Sequence, residues 1–327
     1  MTKNTLFFLA SLFLSLPLWW GTNVSSGELT EIFFLRELAT NPEILAAQAL
    51  QIDLEKQLAA TRPTLKRNIQ KPIIQARAAF SFFYSQERDS KILFQQSSQS
   101  SHAIASITKL MTVLVALENY PLYSKISITP NILNTEGDVA NFQDGEVFLV
   151  QDIIYSMLIE SSNDAAFALA EIMGEELFVQ AMNQWAVELQ LENTFFENAS
   201  GLDLENPEKK PSNYSSAKDV AQLAIFLLNN HPEIFVILSQ QEFILYTTDN
   251  TYHHIMINTN ILLDDPDLKA RTVGGKTGWT LLARGSLLHV LKSPRGKGYI
   301  ITVVLGSEDR FGETKSLIDW IHQSYIW

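Results

Sequence analysis

Ala105-Ser106-Ile107-Thr108-Lys109-Leu110-Met111-Thr112 sets a hydroxyl and an amine three residues apart where a helix is expected to begin. That spacing puts both side chains on one face. A serine hydroxyl is a poor nucleophile until a base takes its proton, and a lysine one turn away can do so only if it is neutral. Neutrality requires partial removal from water beside other positive groups, hence a desolvated cleft. The spacing alone is equally met by an N-cap serine followed by a solvated lysine, so the rest of the chain decides. Leu110 to Leu117 is nearly all apolar, too hydrophobic all round for a surface helix, so this helix is expected in the middle of the fold.

The 327 residues suffice for one large or two small domains, and 46% hydrophobic with 18% charged residues is ordinary for a packed protein. A net charge of −12 without a basic stripe argues against a nucleic-acid partner. There is no cysteine, which excludes disulfides, thiolate zinc sites and cysteine nucleophiles together. The six histidines, His102, His231, His253, His254, His289 and His322, include no His-x-x-x-His pair, so neither a metal nor another cofactor is expected. His253 and His254, adjacent on a strand, are expected to point to opposite faces in a structural or surface role.

In chain order, Lys3 followed by the apolar run Leu6 to Trp20 resembles an export signal, with an uncleaved anchor bearing Trp19 and Trp20 at the membrane interface as the alternative. Residues 1–26 are read as that signal or anchor, and either one puts the body outside the cytoplasm. Residues 27–71 read as a helical spacer (Ile32, Leu35, Leu38, Ile44, Leu45, Leu50) passing into a basic, proline-bearing linker, and the folded domain is expected over 72–327. Ala78 to Tyr84 and Lys91 to Phe94 predict a hairpin. An all-helical lobe is expected at about 121–235, with helices at Val150 to Ile159, Asp164 to Met173, Glu175 to Leu189 and Ser216 to Asn229. Strands at Glu242 to Thr247, Val273 to Lys276, Gly285 to Leu291 and Tyr299 to Gly306 follow, then a helix from Phe311 to Ile326. Strands at both ends around a helical middle imply an α+β fold: one antiparallel sheet from the N- and C-terminal parts, flanked by helices, with the inserted lobe forming a cleft.

Two further segments complete a serine–lysine site. In Glu160-Ser161-Ser162-Asn163-Asp164, at a loop-to-helix junction, Ser161 can pass a proton and the Asn163 amide can hold a lysine and a substrate carbonyl. In Gly274-Gly275-Lys276-Thr277-Gly278-Trp279-Thr280, glycines admit a ligand backbone against a strand edge while Lys276 and Thr277 can bind a carboxylate. Alone, these are an N-cap cluster and a tight turn beside a surface lysine.

Ser-x-x-Lys, Ser-x-Asn and Lys-Thr-Gly in this order form the signature of class A β-lactamases and penicillin-binding proteins. The chain most resembles the low-molecular-weight penicillin-binding proteins that act as serine-type D-alanyl-D-alanine carboxypeptidases, over roughly residues 72 to 325. The resemblance extends to His102 to Thr112, Phe196-Glu197-Asn198-Ala199-Ser200-Gly201-Leu202-Asp203, Ser216-Ala217-Lys218-Asp219-Val220-Ala221 and Asn258-Thr259-Asn260-Ile261-Leu262-Leu263. It implies the β-lactamase/transpeptidase-like fold and removal of the terminal D-alanine from peptidoglycan stem peptides, with Ser106 as nucleophile, Lys109 as base, Ser161 as proton relay and Asn163 orienting the peptide. Lys276 and Thr277 would hold the substrate carboxylate, and the N–H groups of Ser106 and Trp279, beside Gly278, would form the oxyanion hole. It further implies covalent inhibition by β-lactams, a part in cell-wall building and cell shape, and a place in the periplasm or on the outer face of the cytoplasmic membrane.

Two departures stand out. Ala283-Arg284-Gly285 puts a bulky cation where the family has small residues, expected to point to solvent, and with no C-terminal β-rich domain or anchor expected after Trp327, any membrane attachment is expected at the N-terminus. Rival readings are a D,D-endopeptidase, which the motifs do not separate; a class A-like β-lactamase, whose water-activating glutamate would have to come from Glu188-Leu189-Gln190-Leu191-Glu192-Asn193; and a non-catalytic wall-binding protein.

Overall fold

The β-rich ends of the chain join into one sheet in the computed structural model, which describes residues 62–86, 90–134, 137, 140–203 and 212–327. The strands are β1 (Thr64–Leu65), β2 (Ala78–Tyr84), β3 (Lys91–Gln96), β4 (His102–Ala103), β5 (Lys125–Ser127), β6 (Val147–Leu149), β7 (Tyr214–Ser215), β8 (Glu242–Tyr246), β9 (Tyr252–Ile257), β10 (Thr272–Thr280), β11 (Arg284–Lys292), β12 (Tyr299–Ser307) and β13 (Tyr325–Ile326). The helices are α1 (Lys109–Asn119), α2 (Val150–Ile159), α3 (Asn163–Glu171), α4 (Glu175–Glu188), α5 (Ala217–Asn230), α6 (Glu233–Leu238) and α7 (Arg310–Ser324).

The main sheet runs β10-β11-β12-β2-β3, every neighbouring pair antiparallel. Alternation along its middle strands explains why both faces are covered. Leu287, Leu291, Ile300 and Val304 turn to one side, where they pack with Leu317, Ile318 and Ile321 of α7. Leu288, Val290, Ile301, Val303 and Leu305 turn to the other, into a larger core shared with α1 and the helical lobe. At that core's centre α1 is buried without a break from Lys109 to Ala116, as its all-apolar pattern requires. Each fully buried Leu, Val or Met there contributes about 1.5–3 kcal/mol of transfer free energy.

Residues 62–71, expected as a linker, belong to the folded unit. Thr64–Leu65 pairs antiparallel with Tyr325–Ile326, and Trp320 Nε1 donates to Gln70 O at 2.8 Å. The prolines misled here because one of them, Pro63, opens a short edge strand. The Leu6–Trp20 run and the spacer to residue 61 lie outside the described residues. Among the described residues no helix is long and apolar enough to cross a membrane.

The expectation for His253 and His254 is corrected. Leu245 pairs with His254 and Tyr246 with Tyr252, so His253 is the extra residue of a bulge in β9. A bulge shifts the two-residue alternation by one. The two rings therefore meet, Nδ1 to Nδ1 at 2.6 Å, instead of facing apart.

Candidate active site

Ser106 lies in a 3-10 turn, Ala105–Thr108, that leads directly into α1. Ala105 has φ 47°, a left-handed backbone that costs a non-glycine residue roughly 1–2 kcal/mol. Two glycines crowd this turn. A Cβ on Gly201 would lie 2.1 Å from Ala105 O, and one on Gly278 would lie 2.7 Å from Ile104 O and 3.1 Å from Ser106 N. Only residues without a side chain let the 198–201 segment and β10 approach Ser106 this closely.

The three-residue spacing does bring the hydroxyl and the amine together, with Lys109 Nζ donating to Ser106 Oγ at 3.0 Å. Nζ also donates to Asn163 Oδ1 at 2.8 Å and to Ser200 O at 2.7 Å. Lys109 is wholly buried, so these contacts stand in for water around its polar head. Asn163 opens α3, whose N-cap Ser162 accepts from Ala165 N at 2.9 Å. The residue before that cap, Ser161, has φ 69°.

β10 runs on to Thr280, past the expected end at Lys276, so Lys276, Thr277, Gly278 and Trp279 all lie on the edge strand of the main sheet. Lys276, 1% exposed, donates from Nζ to Ser161 Oγ at 2.8 Å and to Thr277 O at 3.2 Å. Burial, and secondarily the Arg310 guanidinium, lower its pKa to about 7. Thr277 Oγ1 meets Thr259 Oγ1 at 2.6 Å, and the Trp279 side chain is exposed. All eight residues singled out in the three motifs thus fall on the Ser106 turn and the first residue of α1, the α3 junction or the facing strand.

Three contributors were not legible in the motifs. Arg310 starts α7, donates from Nη1 to Gly278 O at 3.3 Å, and has a buried Nε with no hydrogen-bond partner among the described residues. Nothing in its local sequence marks it, since only the sheet brings α7 to β10. The Ser200 carbonyl is a backbone group, and Thr259 carried a signal only through the Asn258-Thr259-Asn260 stretch. Arg284 takes the expected solvent side, 3.6 Å from the exposed Glu308. Glu188 is exposed at the end of α4, where its Oε1 accepts from Gln184 Nε2 at 2.9 Å. That is a surface helix contact, not the seat of a water-activating base. Among the described residues no group of three or more His, Asp or Glu could hold a metal ion.

Residues 66–309 match the peptidase family S11, described as D-alanyl-D-alanine carboxypeptidase. The chain is 30% identical to the D-alanyl-D-alanine carboxypeptidase DacF of Bacillus subtilis over 73% of this chain and 61% of that protein. It is 29% identical to DacC of Escherichia coli over 80% of this chain and 65% of that one. It therefore spans about six-tenths of the length of the curated relatives it matches. Among solved structures, a penicillin-binding protein of Listeria monocytogenes in its cefotaxime-bound form shares 28% identity, covering 78% of this chain and all 100% of that one at a TM-score of 0.65. A D-alanyl-D-alanine carboxypeptidase from Mycobacterium tuberculosis, at 22% identity, covers 80% of this chain and 96% of its own with a TM-score of 0.68, and shows the shared fold.

Proposed function

The chain belongs to the D-alanyl-D-alanine carboxypeptidase family of serine peptidases, and from that premise we propose that it removes the terminal D-alanine of peptidoglycan stem peptides through an acyl-enzyme on Ser106. The observation that carries the reading is the buried Lys109 Nζ held 3.0 Å from Ser106 Oγ, with a second lysine, Lys276, 2.8 Å from Ser161 Oγ.

In the proposed reaction Lys109, which acts as a base only in its neutral form, takes the Ser106 proton as Oγ attacks the carbonyl of the penultimate D-alanine. The oxyanion is met by the N–H groups of Ser106 and Trp279, each such donor lowering the barrier by about 3 kcal/mol. The C–N bond then breaks as the proton taken by Lys109 returns through Ser161 to the leaving amine of D-alanine, which leaves Lys109 neutral again and Ser161 protonated as before. Thr277 Oγ1 and the cations of Lys276 and Arg310 hold the leaving carboxylate, and Asn163 orients the peptide. Water, activated by the same base, cleaves the ester and frees Ser106. A β-lactam ring enters by the same first step, which makes it a covalent inhibitor.

The reading also places the catalytic unit outside the cytoplasm, in the periplasm or at the outer face of the membrane, where stem peptides are. Lys3 and the apolar run Leu6 to Trp20 support export and an N-terminal membrane attachment. The test is to incubate the full chain and its Ser106→Ala variant with a pentapeptide stem and with cross-linked dimers. Free D-alanine from the first substrate, abolished in the variant, is the expected result. Monomers released from the dimers without D-alanine would transfer the assignment to an endopeptidase.

A further inference from the structure

A neutral lysine is a base toward Ser106 only if its lone pair, and not an N–H, faces Oγ. We infer that the buried amides Asn198 and Asn213, together with Thr112, are positioning residues that impose this orientation by fixing the Ser200 carbonyl against Lys109. The inference rests on the reading of Ser106 and Lys109 as nucleophile and base.

Among the oxygens that Nζ meets, Asn163 Oδ1 at 2.8 Å and Ser200 O at 2.7 Å can only accept, whereas Ser106 Oγ at 3.0 Å can also donate. Nζ donates to the Ser106 hydroxyl in this geometry, and once it has lost that proton its two remaining N–H bonds to the carbonyls leave the lone pair toward Oγ. If either carbonyl moves away, an N–H can turn to Ser106 Oγ and the base is misdirected.

The Asn163 amide stands at the start of a capped helix, but Ser200 lies in no helix or strand. Its carbonyl direction is set by side chains. Asn198 Oδ1 gathers Gly201 N at 2.7 Å, Ser200 N at 3.2 Å and Ser200 Oγ at 3.2 Å, closing the turn that aims the carbonyl. Asn213 Nδ2 donates to Asn198 O at 2.9 Å and to Thr108 Oγ1 at 3.0 Å, so one amide ties this turn to the residue preceding Lys109. Asn213 Oδ1 accepts from Glu197 N at 2.8 Å and Asn198 N at 3.2 Å. Three residues beyond Lys109, Thr112 Oγ1 donates to Ala199 O at 2.6 Å. The first turn of α1 therefore grips two successive carbonyls, Ala199 through Thr112 and Ser200 through Lys109. Asn198 and Asn213 are only 5% and 2% exposed, a burial that amides tolerate only when hydrogen-bonded.

The test measures acylation of the full chain by a fluorescent penicillin across the pH range, separating the acylation step from reversible binding, for Asn198→Ala, Asn198→Asp and Thr112→Val. Asn198→Ala should slow acylation by roughly 10- to 100-fold with binding unchanged. Asn198→Asp keeps the acceptor but adds a negative charge near Lys109, so the rising limb of its pH profile should move to higher pH. A purely structural role would lower the yield of folded protein but leave the acylation rate constant of the folded Asn198→Ala variant at the wild-type value. Thr112→Val, nearly isosteric, should fold and show a smaller loss in the same step. Folded Asn198 variants with the wild-type rate and pH profile would overturn the inference, and if they do not fold, wild-type acylation by Thr112→Val would do so. Failure of the wild-type chain to be labelled, or labelling that survives Ser106→Ala, would instead remove the underlying Ser106–Lys109 reading, and this inference with it.

Discussion

Lys276 holds Ser161 at 2.8 Å much as Lys109 holds Ser106 at 3.0 Å, so the site consists of two serine–lysine pairs and not one. The hydroxyl of Ser161, expected to pass a proton, is engaged by the lysine of the facing strand. In the proposed reaction the proton returning through Ser161 is therefore delivered beside the group that holds the carboxylate. Leaving-group protonation and carboxylate recognition become one event.

The lowered pKa of Lys276 makes this testable. Burial, then Arg310, bring it to about 7 from its ordinary 10.5, so in the free protein Lys276 is a cation below that pH and neutral above it. For a peptide with a free terminal carboxylate, kcat/KM, which reports the free enzyme, should fall as pH rises through about 7. With the terminal carboxylate replaced by an amide the falling limb should disappear. The same limb in both substrates would separate it from carboxylate recognition.

Gly278 carries a steric prediction. In Gly278→Ala the new Cβ, 2.7 Å from Ile104 O, must push β10 away from the Ser106 turn. Penicillin acylation should drop by about a hundredfold. The melting transition should reflect only the roughly 1–3 kcal/mol typical of overpacking. A variant that acylates normally would mean that the strand relaxes without moving the Trp279 N–H.

The α+β arrangement and the residues of the three motifs were legible because each signal is local: apolar runs in α1 and β11, glycines around Lys276, a cap at Ser162. Arg310, Ser200 O and Thr259 were not, because the fold brings them to the site from distant segments. The His253–His254 contact was hidden by one inserted residue, since a bulge reverses every inference drawn from two-residue alternation. The pairing of Ser161 with Lys276 depends on how the α3 junction meets β10, which no motif spacing encodes.

His289 of β11, paired with Gly275 of β10, should make stability fall in mild acid. Its Nδ1 meets Asn260 Nδ2 and its Nε2 meets Thr272 Oγ1, both at 3.3 Å, and burial lowers its pKa from 6.5 to about 4 against a small opposing pull from Asp265. The unfolded chain thus binds the proton first, so the stability is intact above about 6.5 and is lost as pH falls toward 4. The full loss is about 3 kcal/mol. His322, also lowered to about 4 by burial, Arg271 and Lys315, acts in the same direction. Urea unfolding of His289→Gln should therefore show a shallower, though not flat, dependence between these pH values. An unchanged slope would assign the acid sensitivity elsewhere.

The two histidines of the β9 bulge belong to a chain of contacts that ends beside Ser161. His253 Nε2 meets Glu146 Oε2 at 3.1 Å, His254 Nε2 meets Glu160 Oε2 at 2.8 Å, and Ser156 Oγ donates to Glu160 Oε1 at 2.7 Å. Glu160, 8% exposed, immediately precedes Ser161, whose φ of 69° persists only if its neighbours hold it. Removing one of the contacts on the carboxylate in His254→Ala should let Ser161 relax toward ordinary backbone geometry and draw its hydroxyl off Lys276. Roughly tenfold slower D-alanine release is expected, since a misplacement on the ångström scale suffices. Glu160→Gln, which keeps an acceptor for Ser156 and His254, should lose less. A double-mutant cycle on the catalytic rate between His254 and Glu160 should give a coupling of about 0.5–3 kcal/mol. Additive effects would mean that the histidines stabilise β9 without reaching Ser161.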